Sequence, residues 1–216
     1  MNMEKARFNM IQQQIRPWDV LDSSVLQTMS DLPRDAFVNN DQRALAYSDI
    51  QLPIGHGESM MHPRIEGRML QELAISNDDS CLEVGTGSGY LTACMANLAK
   101  DVYSIDIHPE FLASAGERLD AQNISNVTLA KENALTELNT NKRFDVIAVT
   151  GSVPEYLSLF EEMLNPGGRL YITVGTAPIQ HAMLITRTKD GFDRTSLFET
   201  ELKALTGTVV KSSFVF

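Results

Sequence analysis

The chain has 216 residues, a formal net charge of −10, 43% hydrophobic residues and 21% charged residues. That is the composition of one ordinary globular domain, long enough to bury a core without staples. No stretch approaches the run of about 18 apolar residues that a membrane span requires, and the acidic balance repels polyphosphate, so neither membrane nor nucleic acid is expected as a partner.

The opening residues, Met1 to Arg7, mix both charges around no apolar centre. No secretory signal is expected, and the protein reads as cytoplasmic. Glu4 to Ile15 predicts a helix with Phe8, Ile11 and Ile15 near one face, interrupted by Arg16-Pro17-Trp18-Asp19. Ser23 or Ser24 is the expected cap of a second helix carrying Val25, Leu26 and Met29, which ends before Pro33. The Pro/Gly segment from Leu52 to Pro63 predicts a loop. Beyond it the pattern is regular. Ile65, Met69, Leu70 and Leu73 mark an amphipathic helix, and Ser80 to Val84 a strand. Leu91, Cys94, Met95 and Leu98 mark a helix, Val102 to Ile107 a strand, and Leu112, Ala115 and Leu119 a helix. Val127 to Ala130 and Phe144 to Val149 read as strands. A helix over Tyr156 to Leu164 is expected to stop at the turn Asn165-Pro166-Gly167-Gly168, before a strand over Leu170 to Val174. Ala182 to Thr188 and Phe192 to Thr200 flank Lys189-Asp190-Gly191 and predict an antiparallel hairpin. Alternating strands and helices imply an α/β fold with a mostly parallel sheet.

The strongest motif is Cys81-Leu82-Glu83-Val84-Gly85-Thr86-Gly87-Ser88-Gly89-Tyr90, between a predicted strand and a predicted helix. Glycines there let a ligand approach the backbone. Tyr90 stands where a dinucleotide fingerprint needs its third glycine, which disfavours a nicotinamide oxidoreductase. Asp106 ends the next strand about 20 residues on, where a carboxylate can accept from both hydroxyls of a ribose. Asn133-Ala134 follows the third strand of the sheet, and the Asn side chain is either a reader of an adenine amino group or a turn residue. The two cysteines, Cys81 and Cys94, are too few for a disulfide framework and read as small buried hydrophobes. The four histidines (His56, His62, His108, His181) show no metal-ligand spacing, and no metal is expected.

Together these residues resemble the class I S-adenosylmethionine methyltransferases, and within them the protein-L-isoaspartate O-methyltransferase family. Leu32 to Val38 is similar to that family's Pro-Arg-x-x-Phe-Val stretch, and Asp49 to Gly57 to its Leu-Pro-Ile-Gly-x-Gly segment, the family-specific part. Leu82 to Tyr90 is similar to its cofactor loop, Phe144 to Thr150 with Pro154-Glu155 to its fourth strand, and Pro166 to Leu170 with Val174-Gly175 to its fifth. The resemblance implies a Rossmann-like core at 64–216 with helices on both faces of the sheet and a C-terminal antiparallel hairpin. A helical extension and substrate loop at 1–63 would pack on it as part of one structural domain. It implies S-adenosyl-L-methionine as cofactor and S-adenosyl-L-homocysteine as product, held by Glu83, Gly85, Thr86, Gly87, Gly89, Tyr90, Asp106, Ile107, Asn133, Ala134 and Thr150. The implied acceptor is the carboxylate of L-isoaspartyl residues in damaged proteins or peptides.

The chain departs from the family at three places. Where the family reads Gly-Gln-Thr-Ile-Ser-x-Pro, this chain has Gly57-Glu58-Ser59-Met60-Met61-His62-Pro63, so Ser59 keeps the first hydroxyl and Met61 replaces the second. The family's Gly-Asp-Gly stands here as Glu132-Asn133-Ala134, and the closing Ser213-Phe214-Val215-Phe216 lacks an Arg-Phe-Val-Pro-Leu pattern. A carboxylate is already ionised at neutral pH, so its methylation needs positioning and dryness rather than a base. Ser59 and neighbouring amides could position it, and His62 could donate to a carboxylate or act as a base toward a hydroxyl. Three readings of Met60 and Met61 stand open: a tolerated loss of one donor, a pocket for a more apolar acceptor, or core packing. The alternatives to the isoaspartyl reading are a methyltransferase for another, small or apolar, acceptor and a cofactor-binding protein without catalysis. Thr150-Gly151-Ser152-Val153 offers no Asn/Asp-Pro-Pro-aromatic motif and the chain has no Pro-Cys pair, which disfavours methylation of nucleobases. The sequence leaves the oligomeric state open.

Overall fold

The computed structural model describes residues 2–138 and 141–208, so the closing residues 213–216 lie outside the described part. Helix α1 (Met3–Met10) runs into a π-helical turn (Ile11–Ile15) and a 3-10 turn (Arg16–Trp18) that ends at Asp19. Helix α2 (Ser23–Asp31) is capped by Asp22, whose carboxylate accepts from the backbone N–H of Ser24 and Val25. The expected serine cap is therefore corrected by one position: the aspartate precedes the first turn and its charge suits a helix N-terminus. Two 3-10 turns (Arg34–Phe37 and Asn40–Leu45) lead to a two-stranded hairpin, β1 (Pro53–Gly55) and β2 (Glu58–Ser59), inside the segment predicted as loop. His56 and Gly57 both take positive φ, 51° and 73°, which is what a two-residue turn between right-twisted strands requires.

The remaining elements form the sheet and its cover. They are α3 (Pro63–Leu73), β3 (Ser80–Val84), α4 (Tyr90–Leu98), β4 (Asp101–Asp106), α5 (Pro109–Ala121), β5 (Val127–Lys131), β6 (Phe144–Val153), α6 (Ser158–Glu162), β7 (Leu164–Thr176), β8 (Ile179–Arg187) and β9 (Phe192–Thr200). The seven strands run in the order β5-β4-β3-β6-β7-β8-β9. The pairs from β5 to β7 are parallel, and β8 and β9 follow antiparallel, as the hairpin signal predicts. None of the described helices is long and apolar enough to cross a membrane.

Alternation along the central strands sends side chains into two apolar layers. Cys81, Val146, Ala148 and Tyr171 join one cluster with Met10, Ile15, Met29, Phe37, Met69, Cys94 and Leu119, so the N-terminal residues share a core with α3, α4 and α5. Leu82, Val84, Ile147, Val149, Leu170 and Ile172 face the opposite way, onto Phe160 and Met163. Among the described residues the helical cover of that second face is the five-residue α6, shorter than the helix expected over Tyr156 to Leu164. The reason lies in β6, which continues to Val153. Ser152 donates from its backbone N–H to the Lys203 carbonyl (2.9 Å) and accepts from the Leu205 N–H (2.8 Å), so this stretch pairs as a strand instead of turning into a helix. The Asn165-Pro166-Gly167-Gly168 turn is likewise not the start of a new element but a bulge inside β7, between the Phe144–Leu164 and Val146–Arg169 pairs.

The strand order reverses between β3 and β6, because β4 and β5 lie to one side of β3 and β6 to the other. The crevice beyond the carboxyl ends of such strands is where α/β sheets bind ligands.

Candidate active site

One cavity occupies that crevice. Its floor is the glycine loop after β3, and its sides are the segments 105–108 and 132–135 and the end of β6. It is covered by Ile54, Glu58 and Ser59 of the β1–β2 hairpin, by Met60 and Met61 just after it, and by residues 202–206.

The glycine loop is shaped by close approach. Gly85 has φ +98°, and a Cβ there would fall 2.2 Å from Thr150 Oγ1. That hydroxyl donates to the carbonyls of Val84 (2.9 Å) and Gly85 (3.1 Å), stitching the end of β6 to the loop. Gly89 has φ +83°, and a Cβ there would fall 2.9 Å from Ala115 Cβ, so this glycine brings α4 against α5. Gly89 and Tyr90, expected to hold cofactor, do not line the cavity. Tyr90 is fully buried behind it, edge-on to Phe37 and with the Arg34 guanidinium 5.3 Å from its ring centre. Its place in the motif serves packing, which is a correction to the sequence reading.

Asp106, Ile107, Asn133, Ala134, Glu83, Gly85, Thr86, Gly87 and Thr150 all line the cavity. Asp106 accepts from the N–H of Gly87 through one carboxylate oxygen (3.0 Å) and from the N–H of His108 through the other (2.9 Å). Its orientation is thus set before any ligand arrives, with lone pairs to spare. Asn133 Oδ1 accepts from the Leu135 N–H (2.9 Å), an Asx turn that leaves its amide N–H groups as the groups to offer a ligand.

Glu83 is fully buried. One oxygen accepts from Ser104 (2.6 Å) and Thr92 (2.5 Å), while Oε1 has no partner among the described residues. Burial outweighs those two hydrogen bonds, and the neighbouring carboxylates of Asp106 and Glu66 add to it, so the carboxyl is pushed up to about 8.

The hairpin that covers the cavity is anchored from below. Arg34, fully buried, donates to Glu66 through Nε and Nη2 (both 3.1 Å), to the Ala46 carbonyl (2.9 Å) and to the Met61 carbonyl (2.8 Å). Burial lifts the Glu66 carboxyl above its ordinary value, with Arg34 pulling the other way. Burial likewise works against the Arg34 charge, but the attraction and hydrogen bonds of Glu66 overcome it and leave the guanidinium raised. On the open side Lys203 donates to the Gly57 carbonyl (2.9 Å) and to Glu58 (2.5 Å).

Ser59 lines the cavity and is half-buried; Met60 and Met61 line it as well and are buried in the main apolar cluster. His62 does not line it. It is the residue before α3, with Nδ1 3.0 Å from the Asp49 carbonyl oxygen and Arg64 alongside. The catalytic role expected of His62 therefore has no geometric support, because an N-cap position points the ring at the preceding loop instead of the cavity. Cys81 and Cys94 are buried, and burial pushes both thiols up. The histidine reading also needs amendment: His56 and His108 stack with ring centres 4.1 Å apart, a proximity that sequence spacing does not express.

Among the lining residues that the sequence reading did not assign to the site are Glu66, His108, Glu132 and the segment 202–206. No motif marks the last of these. It reaches the site because β8 and β9 carry the chain out and back, after which it pairs with Ser152.

The wall is rich in carboxyl groups: Glu66 is paired with the buried Arg34 and Glu58 with Lys203, and the Glu83 carboxyl is raised by burial. Glu58, Glu66, Glu83, Asp106 and Glu132 line it against Lys203, the one lysine or arginine among the described lining residues. A cavity of that sign fits a cationic ligand and opposes a pyrophosphate, which needs helix-end amides free of competing carboxylates or added cations.

A family model described as protein-L-isoaspartate(D-aspartate) O-methyltransferase matches residues 5–206. A protein-L-isoaspartate O-methyltransferase of Roseobacter denitrificans is 34% identical over 180 residues, covering 83% of this chain and 84% of that one. A protein-L-isoaspartate O-methyltransferase 1 of an Anaeromyxobacter species is 36% identical over 191 residues, covering 87% and 90%. In fold, the chain is similar to a Plasmodium falciparum protein assigned as a protein-L-isoaspartate O-methyltransferase and crystallised in complex with S-adenosyl-L-homocysteine. The TM-score is 0.81 at 22% identity, covering 95% of this chain and 99% of that one.

Proposed function

The chain belongs to the protein-L-isoaspartate(D-aspartate) O-methyltransferase family, and on that footing we propose that it is an S-adenosylmethionine-dependent carboxyl methyltransferase acting on L-isoaspartyl residues of proteins and peptides. The observation that carries the reading is the acidic cavity in which the glycine loop, Asp106 and Asn133 face the Ser59 hairpin.

The residues present fit S-adenosylmethionine. Gly85 and Gly87 leave room for the backbone to be approached, and Asp106 suits the ribose hydroxyls. The unpartnered Glu83 Oε1 and the acidic wall suit an ammonium and a sulfonium. When bound, that cofactor supplies an electrophilic methyl group, and transfer forms a C–O bond to the acceptor carboxylate as the C–S bond breaks, leaving an ester and a neutral thioether.

This chain's share of the work is positional. Ser59 and Lys203 are the donors on the acceptor side of the cavity, and neither is needed to remove a proton, because the acceptor is already ionised. Opposite charges cancel as the bond forms, so the dry cover made by Met60, Met61, Ile54 and Leu202 favours reaction over the separated ions. Met61, in the place of a hydroxyl, withholds one donor worth about 1 kcal/mol of positioning. A second reading has one observation in its favour: two methionines in the wall suit an acceptor with an apolar part.

The test is transfer of labelled methyl to an L-isoaspartyl peptide, with the normal aspartyl peptide as control, by the wild type and by Met61→Ser. Methylation of the isoaspartyl peptide alone is the expected result. No transfer by wild type but some by Met61→Ser would move the natural acceptor elsewhere. No transfer by either, with S-adenosylhomocysteine still bound in calorimetry, would refute the isoaspartyl reading.

A further inference from the structure

At the rim of the cavity three side chains converge that the methyl-transfer reading does not use. His56 stands at the tip of the β1–β2 turn, His108 immediately precedes α5, and Glu110 lies in the first turn of that helix. The two imidazoles stack with ring centres 4.1 Å apart and planes 20° from parallel. A carboxylate oxygen of Glu110 lies 3.6 Å from His56 Nε2. One potential ligand atom from each residue lies within 4.8 Å of the other two, and no other trio of His, Cys, Asp or Glu among the described residues converges in this way.

We infer that His56, His108 and Glu110 form a binding site for a divalent transition-metal ion of the zinc type, joining the hairpin to the cofactor side of the cavity. Two imidazoles and a carboxylate select such an ion over magnesium or calcium, which prefer all-oxygen sets. Three protein ligands leave a fourth position for water. A tetrahedral zinc with Zn–N bonds of about 2.0 Å holds its ligand atoms about 3.3 Å apart, so the trio must draw in by about 1.5 Å. Its side chains have that freedom: His56 is 40% exposed and Glu110 66%.

The surroundings already orient the rings. Phe111 meets both edge-on, at 5.2 Å from each ring centre, and supplies an apolar floor. The turn holds His56 at φ 51°, and the N–H of His108 is fixed on Asp106. Among the described residues neither ring is engaged by a hydrogen bond, so their nitrogens are available. The bridge would span 52 positions of sequence, from a turn over the cavity to a residue two beyond the ribose-binding candidate Asp106. A bound ion would therefore hold the hairpin down and slow exchange of S-adenosylhomocysteine. This second consequence rests on the proposed function; the ion site itself does not.

The experiment uses the untagged full chain stripped of metal, with Zn2+ titrated in competition with a chromophoric chelator. One Zn2+ per chain with micromolar affinity is expected. His56→Asn, which tolerates the positive φ, and Glu110→Gln, at an exposed position, should each weaken it by about 10-fold or more. His181→Asn, on β8, should leave it unchanged. Absence of one-to-one binding, or binding indifferent to both His56→Asn and Glu110→Gln, would overturn the site. Release of S-adenosylhomocysteine is then timed with and without Zn2+. Slowing in the wild type but not in His56→Asn supports the bridge, and equal rates refute it while leaving the ion site standing. Failure to bind S-adenosylhomocysteine at all would count against the proposed function and not against the ion site.

Discussion

Glu66→Gln should destabilise the protein by far more than its small change in shape suggests. Arg34 and Glu66 are both buried, and the guanidinium spends two of its four hydrogen bonds on the carboxylate. Removing the negative partner leaves a buried cation without compensation, a loss of about 3–5 kcal/mol. For a chain of this length each kcal/mol lowers Tm by about 2–4 °C, which predicts a drop of about 6–20 °C. Arg34→Met removes the cation instead. Glu66 can then take up a proton, since burial already lifts its carboxyl, but the carbonyls of Ala46 and Met61 lose their donor, at about 1–3 kcal/mol for each group left unsatisfied. The double variant Arg34→Met/Glu66→Leu has no stranded charge, so it should be less destabilised than the two single variants added together, by about 2 kcal/mol or more. Urea unfolding followed by circular dichroism supplies the three differences. If they add within about 0.5 kcal/mol, the two side chains are not coupled and the anchoring of the hairpin through this pair is wrong.

Three further outcomes can be checked. Gly85→Ala places a Cβ against Thr150 Oγ1 at a positive φ and should cost about 2–4 kcal/mol; in a Thr150→Ala background the added cost should shrink, and equal costs in both backgrounds would contradict the contact. Asp106→Asn should weaken S-adenosylhomocysteine binding in calorimetry by about 10-fold or more, the worth of a charge-assisted hydrogen bond, and an unchanged Kd would remove Asp106 from the ribose site. Glu83 carries a folded-state pKa raised from 4.5 to about 8. The stability it contributes is complete below pH 4.5 and is lost as pH rises through about 8. Over that window the folded state binds up to one proton more than the unfolded chain, so Glu83 lowers stability by up to about 1.4 kcal/mol per pH unit. Denaturant unfolding from pH 5 to 8 should show a shallower decline for Glu83→Gln, and the same slope in both proteins would refute the assignment.

What the sequence discloses here follows the range of the interaction. The parallel strands and their helices were legible because each is a local pattern, and the glycine loop with Asp106 because their spacing is set by one βαβ unit. The helix that the sequence predicts over Tyr156 to Leu164 is longer than the one that forms: its apolar spacing is real, but Ser152 pairs with Lys203 and Leu205, some fifty positions away, and that tertiary pairing prolongs β6. The family resemblance places Tyr90 among the cofactor residues, whereas the first residue of α4 turns its ring toward Arg34 and Phe37. Asp22, Ser23 and Ser24 are all good caps by type, and only the backbone decides in favour of Asp22. The trio His56, His108 and Glu110 leaves no trace in spacing at all.

The wall built by residues 202–206 sets an order of events during synthesis. Gln51 reaches the Glu201 carbonyl across 150 positions, and Lys203 reaches Gly57 across 146. On a growing chain the glycine loop, Asp106 and Asn133 are all made while that wall does not yet exist. Such a chain offers its ligand an open ledge, with the hairpin untethered on one side. Ligand binding can therefore help to hold the finished protein together, but it has little grip on the intermediates that precede it. The early half of the fold must stand on the part of the large shared cluster it already has, from Met10 to Leu119, until Val146, Ala148, Tyr171, Ala182 and Leu202 complete it.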